Sequence, residues 1–336
     1  MTIQLPVSKS IANRLLVLQA LHGVPLMDVS RDDVPDDVKL MHDALIAIHN
    51  GASELNLQNC GTAMRFLTAY CAQREGLTII LDGCERMRHR PIAPLVVALR
   101  TCGADITYLG EDGFPPMRIT GKKLSTLHLP GSTFHVQLSS QFVTALLLIG
   151  IEVETECTSP YIDMTRRVLA RWKAGEHDFS EQDWSAAAFW YEYVALHGGE
   201  LFLEGLQETD MQGDKVVVEI FRDFGVATRF EKNGIRLTRT GQLSIINYQL
   251  SIVNCPDLYP ALAITCEKLG ITLHATGTET LRLKESDRLQ AVREHKTYGD
   301  HRIAMALLAA DLPCDDIACI SKSYPTFYKQ LCLLRP

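Results

Sequence analysis

Basic side chains recur beside short polar turns in this sequence, and that arrangement could bind anionic ligands. Lys9 and Arg14 flank a serine-rich turn, and Arg65 follows the run NCGT at residues 59–62. Further cations stand near predicted helix starts, namely Arg86, Arg88, Arg90, Lys284, Arg288, Arg302 and Lys322. A helix N-terminus attracts phosphate and carboxylate, whereas a Lys or Arg placed there opposes the helix dipole. Repeated cations at such positions therefore indicate a shared anionic ligand.

Each of these turns has a simpler interpretation when it is taken alone. Ser8, Thr62 and Ser139 are suited to helix capping, and an isolated Arg is usually solvated or ion-paired at the surface. Lys284 and Arg288 have the i, i+4 spacing of one face of an amphipathic helix. The prediction of anion sites therefore depends on the joint occurrence of the motifs.

The elements that must position these cations repeat along the chain. A short apolar strand, a polar turn and an apolar helix follow one another at residues 3–21, 55–73 and 78–102, where Pro91 is suited to open the third helix. The second half continues with predicted helices at residues 186–196, 215–224, 258–268, 284–292 and 301–311. This repetition predicts an α/β fold built from repeated β/α units.

The bulk composition limits the class of protein. A length of 336 residues favours two domains, and a net charge of −7 disfavours a nucleic-acid partner. The ten cysteines show no CxxC pair and no zinc-type spacing, so we expect reduced thiols and no metal site. The most apolar stretch, residues 142–151, is too short to span a bilayer, and the first residues do not resemble a signal peptide. These observations predict a cytoplasmic protein without a membrane partner.

Nine short runs, in order along the chain, carry a resemblance to a known family. They are LPVSKS at residues 5–10 with Asn13 and Arg14, NCGTAMR at 59–65, RHRPI at 88–92, SSQF at 139–142, PYID at 160–163, Pro256 with Asp257, LKESDRL at 283–289, DHRIAM at 300–305 and KSYP at 322–325. The sequence resembles the 5-enolpyruvylshikimate-3-phosphate synthase (EPSP synthase) family from end to end.

The resemblance implies an enolpyruvyl transferase fold of two domains, each built from three βαβαββ units, with helix N-termini facing the interdomain cleft. One domain would span residues 8–181 and make most contacts with shikimate 3-phosphate. The other would combine residues 1–7 with residues 182–336, complete the phosphoenolpyruvate site and carry Asp257 and Glu285. The resemblance also implies a monomer that needs no cofactor.

The implied activity is transfer of the enolpyruvyl group of phosphoenolpyruvate to the 5-hydroxyl of shikimate 3-phosphate, with release of phosphate. Shikimate 3-phosphate would contact Lys9, Ser10, Arg14, Ser139, Ser140, Gln141, Tyr161, Asp257 and Lys284. Phosphoenolpyruvate would contact Lys9, Gly61, Arg65, Arg90, Gln141, Arg288, Arg302 and Lys322. Asp257 is the candidate base for the hydroxyl proton, and Glu285 and Lys9 are candidates for handling the C3 proton, with the division of roles left open.

The chain departs from the family's pattern in length and in four residues, of which two are Thr158, in place of a usual Ser, and Thr280, in place of a usual Asn. Val7 stands in place of a usual Gly, and Phe66 stands in place of a usual Pro. The stretches near residues 173–180 and 293–298 are too short to hold two paired strands and their turn. We therefore expect the natural polypeptide to possess further residues at both places.

Two other functions fit the same fold. The sister enolpyruvyl transferase that acts on UDP-N-acetylglucosamine shares phosphoenolpyruvate, but DHRIAM and the run SSQ at residues 139–141 favour the shikimate branch. A degenerate, non-catalytic member of the family would be expected to lose its charged residues. The sequence retains Lys9, Arg65, Arg90, Asp257, Glu285, Arg288, His301 and Arg302.

Overall fold

The computed structural model describes residues 1–125, 128–129, 139–154, 159–209, 211–241, 243 and 245–335. Contacts within the chain divide it into two units. Unit 1 comprises Met1–Lys9, Ser30–Asp36 and Ser180–Pro336, and unit 2 comprises Ser10–Val29 and Asp37–Phe179. The domain limits implied by the resemblance stay a prediction, because a grouping by contacts does not test whether each part folds independently.

The described residues form short strands and mostly short helices. In chain order the strands are β1 (Thr2–Gln4), β2 (Glu54–Asn56), β3 (Thr78–Asp82), β4 (Asp105–Tyr108), β5 (Met117–Thr120), β6 (His128–Leu129), β7 (Glu152–Val153), β8 (Glu200–Glu204), β9 (Val226–Glu231), β10 (Gly234–Arg239), β11 (Asn247–Ser251) and β12 (Thr272–Thr276). The α-helices are α1 (Lys9–His22), α2 (Asp36–His49), α3 (Gly61–Ala72), α4 (Glu85–Arg88), α5 (Ala93–Thr101), α6 (Ser140–Leu148), α7 (Pro160–Lys173), α8 (Trp184–His197), α9 (Val217–Asp223), α10 (Tyr259–Leu269), α11 (Arg288–Glu294), α12 (His301–Ala309) and α13 (Phe327–Cys332). Turns of 3₁₀ helix lie at Gly213–Val216, Glu279–Leu283 and Ala318–Lys322.

Each unit contains one four-stranded mixed sheet with the same topology. In unit 2 the order is β2-β3-β5-β4, with β2 and β3 parallel and β5 antiparallel to both β3 and β4. In unit 1 the order is β1-β8-β10-β9, with β1 and β8 parallel and β10 antiparallel to both β8 and β9. Both sheets therefore follow a βαβαββ pattern, which agrees with the predicted α/β class.

Each unit also contains a two-stranded parallel sheet, β6-β7 in unit 2 and β11-β12 in unit 1. Among the described residues, neither pair carries the antiparallel strands that complete the larger sheets. In unit 1 the chain passes from α11 to α12 through a tight connection with left-handed backbone at His295 (φ 52°), Tyr298 (φ 47°) and Gly299 (φ 72°). Non-glycine residues rarely adopt such angles, so the backbone at His295 and Tyr298 has an uncommon conformation.

The core of unit 1 is built around α8. Its Phe189 and Trp190 are fully buried and contact Phe327 of α13, and Trp190 donates a hydrogen bond to the Tyr324 hydroxyl at 3.1 Å. The strands that pack near it alternate in burial, as Leu201 and Leu203 of β8 show. A helix that is apolar on nearly every side is expected only in such a central position.

Glu192 is a charged residue type within this apolar helix. Its side chain is fully buried, and neither carboxylate oxygen has a hydrogen-bond partner among the described residues. Burial raises the pKa of Glu192 well above its ordinary value. The folded protein therefore holds this carboxyl in its neutral form.

Two predicted helix starts are wrong. The helix predicted from residue 284 begins at Arg288, because the Asp287 carboxylate caps it by accepting the N–H groups of Leu289 and Gln290. The helix after Arg90 begins at Ala93 instead of Pro91, with Pro94 in its first turn. Asp287 marks the start of the first helix and Pro94 marks the start of the second, and both lie further along the chain than the predicted starts.

Candidate active site

Asp257 is the centre of a buried ion network in unit 1. It precedes α10, and its carboxylate accepts hydrogen bonds from Lys284 Nζ at 3.2 Å, Arg288 Nη1 at 2.8 Å and Arg302 Nη2 at 3.0 Å. Burial would raise the pKa of Asp257, but the charges of Arg302, Lys284 and Arg288 outweigh burial and hold the pKa well below its ordinary value. Asp257 is therefore ionised in the protein without ligands.

Arg288 links this carboxylate to two others. Its side chain is 1% exposed, its Nε donates to Asp300 Oδ2 at 2.8 Å, and its Nη2 donates to Glu285 Oε2 at 3.1 Å. Asp300 also caps α12 by accepting the N–H of Arg302 at 3.0 Å. A single guanidinium thus fixes the start of α12 and the loop that carries Lys284 and Glu285.

His301 opens α12 beside these charges. It is 1% exposed, and neither ring nitrogen has a hydrogen-bond partner among the described residues. Burial lowers the pKa of His301 well below its ordinary value, and the nearby charges of Lys9, Arg302 and Lys322 lower it further, against the opposing effect of Glu285. The imidazole is therefore neutral and close to both Lys9 and Glu285.

Two further carboxylates border the network. The backbone N–H of Lys9 donates to Asp183 Oδ2 at 3.3 Å, so the residue that caps α8 also holds the first residue of α1. Asp214 accepts a short hydrogen bond from the Ser185 hydroxyl. Burial and the neighbouring Asp257 raise the pKa of Asp214 to about 7. Asp214 was not predicted from the sequence, because its contacts come from residues distant in the chain.

The charged and ionisable residues around Asp257 are named the unit 1 cluster. They are Lys9, Asp257, Lys284, Glu285, Arg288, His301, Arg302 and Lys322. Seven of them were predicted site residues. Hydrogen bonds join Asp257, Lys284, Glu285, Arg288 and Arg302, and the charges of Lys9 and Lys322 act on His301. His301 was not assigned to either substrate from the sequence, which singled it out only as a retained residue of the DHRIAM run.

Arg90 and Gly61 form a second predicted group, in unit 2. A Cβ atom built on Gly61 would lie 2.7 Å from Arg90 Nη2 and 2.9 Å from Arg90 Cζ, so only glycine permits the guanidinium to rest there. Arg90 Nη1 also donates to the carbonyl oxygen and the side-chain oxygen of Asn59, both at 3.3 Å. The start of α3 and Arg90 are therefore held against each other.

Arg65 lies on the same helix, one turn beyond Gly61. Its Nη1 donates to the Gly61 carbonyl at 3.3 Å and its Nη2 donates to the Pro91 carbonyl at 3.0 Å. Arg88 does not join this group, because it is exposed and pairs with Asp82. Arg88 and Arg90 are two residues apart in the sequence, but Arg88 lies at the surface whereas Arg90 is packed against Gly61.

The remaining predicted residues of unit 2 lie at the starts of α1, α6 and α7. Arg14 is buried and donates to the carbonyl oxygens of Ser10 at 2.6 Å and Tyr161 at 3.1 Å. Ser139 caps α6 by accepting the N–H of Gln141 at 3.4 Å, which agrees with its predicted capping role. Ser140 and Gln141 form the first turn of α6 and are half-buried.

Metal and membrane features are limited in the part of the chain that the structure describes. No group of three or more His, Cys, Asp or Glu side chains in those residues is placed to hold a metal ion. No helix within the same residues combines the length and hydrophobicity needed to cross a bilayer.

Comparison with known proteins places this architecture in a family. A sequence model described as EPSP synthase (3-phosphoshikimate 1-carboxyvinyltransferase) matches residues 1–295. The chain belongs to the EPSP synthase family. Its relatives include the 3-phosphoshikimate 1-carboxyvinyltransferases of Bacteroides fragilis, which is 34% identical with 98% of this chain and 94% of the relative covered, and of Escherichia coli O6:H1, which is 32% identical with 98% and 95% covered.

Solved structures of the EPSP synthase family share the fold. EPSP synthase from Acinetobacter baumannii superposes with a TM-score of 0.68 at 20% identity, over 99% of this chain and 95% of that protein. A second structure of EPSP synthase from the same organism gives a TM-score of 0.66 at 18% identity.

The comparison with Bacteroides fragilis also bears on length. The alignment extends over 397 residues whereas this chain has 336, so at least 61 aligned positions have no residue of this chain. A shortage of that size agrees with the two-stranded sheets, which have no antiparallel partner strand in the part of the chain that the structure describes. The expectation of further residues near 173–180 and 293–298 stays a prediction.

Proposed function

We propose that the unit 1 cluster and the cationic groups of unit 2 bind the two anionic substrates of an enolpyruvyl transfer. The protein transfers the enolpyruvyl group of phosphoenolpyruvate to the 5-hydroxyl of shikimate 3-phosphate and releases phosphate. The observation that carries the site assignment is the buried carboxylate of Asp257 held among three cations, Lys284, Arg288 and Arg302. Substrate phosphate and carboxylate groups need charge-assisted partners of this kind.

The proposed binding residues divide between the two substrates. For shikimate 3-phosphate they are Lys9, Ser10, Arg14, Ser139, Ser140, Gln141, Tyr161, Asp257 and Lys284. For phosphoenolpyruvate they are Lys9, Gly61, Arg65, Arg90, Gln141, Arg288, Arg302 and Lys322. The support is that six of the cations are held by the side-chain hydrogen bonds described above, so little of their side-chain entropy remains to be lost on binding. They are Arg14, Arg65, Arg90, Lys284, Arg288 and Arg302.

Asp257 is the proposed base in the addition step. The 5-hydroxyl oxygen bonds to C2 of phosphoenolpyruvate, its proton passes to Asp257, and a second proton is added to C3. A carboxylate with a strongly lowered pKa is a weak base. Anionic substrates at Arg288, Arg302 and Lys284 add negative charge near Asp257, and this charge favours uptake of a proton by its carboxylate.

Glu285 and Lys9 are the proposed groups for the C3 proton. The addition gives a tetrahedral ketal phosphate. In the elimination the C3 methyl group loses a proton, the double bond re-forms, and the C2–O bond to phosphate breaks with its electron pair leaving on the phosphate. His301 is affected by the charges of both residues and is neutral, so it contributes no positive charge to the site.

Phosphate release measures this function directly. We expect release from phosphoenolpyruvate with shikimate 3-phosphate as acceptor and none with UDP-N-acetylglucosamine. Lys9→Ala should lower kcat by roughly 10²–10⁴-fold. Lys122→Ala is the matched control, because Lys122 is an exposed surface cation paired with Asp105. Phosphate release that occurs only with UDP-N-acetylglucosamine as acceptor would overturn the assignment. Normal turnover by Lys9→Ala would also overturn it.

We also infer that the enzyme acts as a monomer in the cytoplasm. The compartment is supported by the ten scattered cysteines, which show no CxxC pair and are typical of reduced thiols, and the monomer is inferred from the resemblance to the family. Light scattering coupled to size-exclusion chromatography measures the oligomeric state, and a dimer mass would contradict the inference.

A further inference from the structure

Arg14 is the most densely hydrogen-bonded of the predicted ligands of shikimate 3-phosphate. Its side chain donates from Nε to Thr165 Oγ1 at 2.9 Å and from Nη2 to Thr144 Oγ1 at 3.4 Å. Together with the bonds to the Ser10 and Tyr161 carbonyls, four of its five N–H groups are used. Within the described residues, one N–H on Nη1 remains for a ligand.

The two threonine hydroxyls have a fixed direction of donation. Thr165 Oγ1 donates to the Tyr161 carbonyl at 2.8 Å, and it lies 2.9 Å from Thr144 Oγ1. Because a hydroxyl has one hydrogen, Thr144 must donate to Thr165. Thr165 then accepts from both Arg14 Nε and Thr144, so both of its acceptor positions are filled. Rotation of either hydroxyl would break a bond in this buried set.

Phe66 faces the same guanidinium. The Arg14 Cζ atom lies 5.6 Å from the centre of the Phe66 ring, and Phe66 is 1% exposed. An aromatic ring at this distance attracts a guanidinium and limits its tilt. No carboxylate among the described residues forms an ion pair with Arg14, and burial lowers its pKa to about 10, against the opposing effect of Tyr161. The site therefore holds a buried cation that an anionic ligand can neutralise.

We propose that Thr144, Thr165 and Phe66 are positioning residues that fix Arg14 so that it presents a single Nη1 N–H to shikimate 3-phosphate. The inference rests on the proposed function, because Arg14, Ser10 and Tyr161 are assigned there to that substrate. The same hydrogen bonds join the starts of α1 and α7 to the middle of α6, whose first turn carries Ser140 and Gln141. Loss of the framework therefore weakens binding of shikimate 3-phosphate more than binding of phosphoenolpyruvate, because Arg14 itself is assigned only to shikimate 3-phosphate.

Thr165→Val tests this directly, because valine keeps the shape and removes the hydroxyl. We expect the dissociation constant for shikimate 3-phosphate, measured by calorimetry without the second substrate, to rise by about tenfold or more. The KM for phosphoenolpyruvate should stay within about twofold of wild type. Thr165→Ser retains the hydroxyl and should restore binding of shikimate 3-phosphate.

Thr68→Val is the matched control. Thr68 is also fully buried in unit 2, but its hydroxyl donates to the Met64 carbonyl and takes no part in the framework. Phe66→Leu gives a second, independent test if Thr165→Val does not fold, and it should also raise the dissociation constant for shikimate 3-phosphate, whereas Phe66→Tyr should not.

The outcomes separate this inference from the proposed function. A wild-type protein that neither binds shikimate 3-phosphate nor releases phosphate would refute the function itself. With wild-type activity present, unchanged affinity for shikimate 3-phosphate in both Thr165→Val and Phe66→Leu would overturn the positioning role. Equal weakening for both substrates, or the same loss in Thr68→Val, would also overturn it, because a general loss of structure would then explain the effect.

Discussion

Glu192 offers a test in which burial decides the sign of a pH dependence. Its carboxyl is buried without a hydrogen-bond partner among the described residues, and its pKa is raised well above the ordinary value. In the unfolded chain a glutamate has a pKa of about 4.3. Above that pH the unfolded state has released a proton that the folded state still holds. The stabilising contribution is therefore complete at low pH and is lost as the pH rises toward the folded pKa.

The magnitude follows from the same linkage. When the folded state binds one proton more than the unfolded state, the free energy of unfolding falls by about 1.4 kcal/mol for each unit by which the pH rises. Between about pH 5 and pH 7 the wild-type protein should lose up to about 2.7 kcal/mol from this group alone. Glu192→Gln keeps the shape of the side chain and removes the titration. The variant should therefore gain stability relative to wild type by about 1.4 kcal/mol for each unit of pH.

Urea unfolding followed by tryptophan fluorescence at three pH values in this range measures the difference. Glu219→Gln on α9 is the matched control, because Glu219 is exposed and the same chemical exchange is made there without burial. If the difference for Glu192→Gln is constant, the Glu192 carboxyl ionises in the folded protein and the reasoning from burial is refuted.

Three further predictions concern the site and the length of the chain. Asp257→Asn should lower kcat by about 10²–10⁴-fold, as measured by phosphate release, and normal turnover would exclude Asp257 as the base. Gly61→Ala should displace Arg90, whose atoms lie within 2.9 Å of the added Cβ, and lower kcat/KM for phosphoenolpyruvate by up to about 10²-fold; an unchanged value would show that Arg90 does not contact this substrate. Intact-mass measurement should give a value above the 37.5 kDa of the 336 residues, and a mass at 37.5 kDa would show that the short connections are real.

The sequence predicted most of the elements because the signals for them are local. Apolar alternation and polar turns lie within a few residues of each strand and helix, and the α/β class followed from their repetition. The start of α11 was predicted wrongly because the i, i+4 spacing of Lys284 and Arg288 suggested a helix. Asp287 caps the helix instead, and Lys284 reaches Asp257 from the preceding loop.

The site residues that the sequence missed are those whose environment comes from distant parts of the chain. Asp214 acquires its raised pKa from burial and from Asp257. Thr144 and Thr165 look like ordinary helix residues until folding brings them against Arg14. The local spacing of residues does not indicate such contacts, whereas the family motifs identified Asp257 and Arg14 directly.

The two-stranded sheet of unit 1 has a consequence for how the protein behaves at high concentration. In a parallel pair, alternate residues point their backbone groups to opposite sides, and Thr272 and Thr276 bond toward β11. The backbone groups of Leu273 and Ala275 therefore point to the outer edge of β12, where no further strand pairs with them among the described residues. An open edge of this kind is a template for non-native pairing between molecules. The 336-residue chain is therefore expected to associate through this edge at high protein concentration.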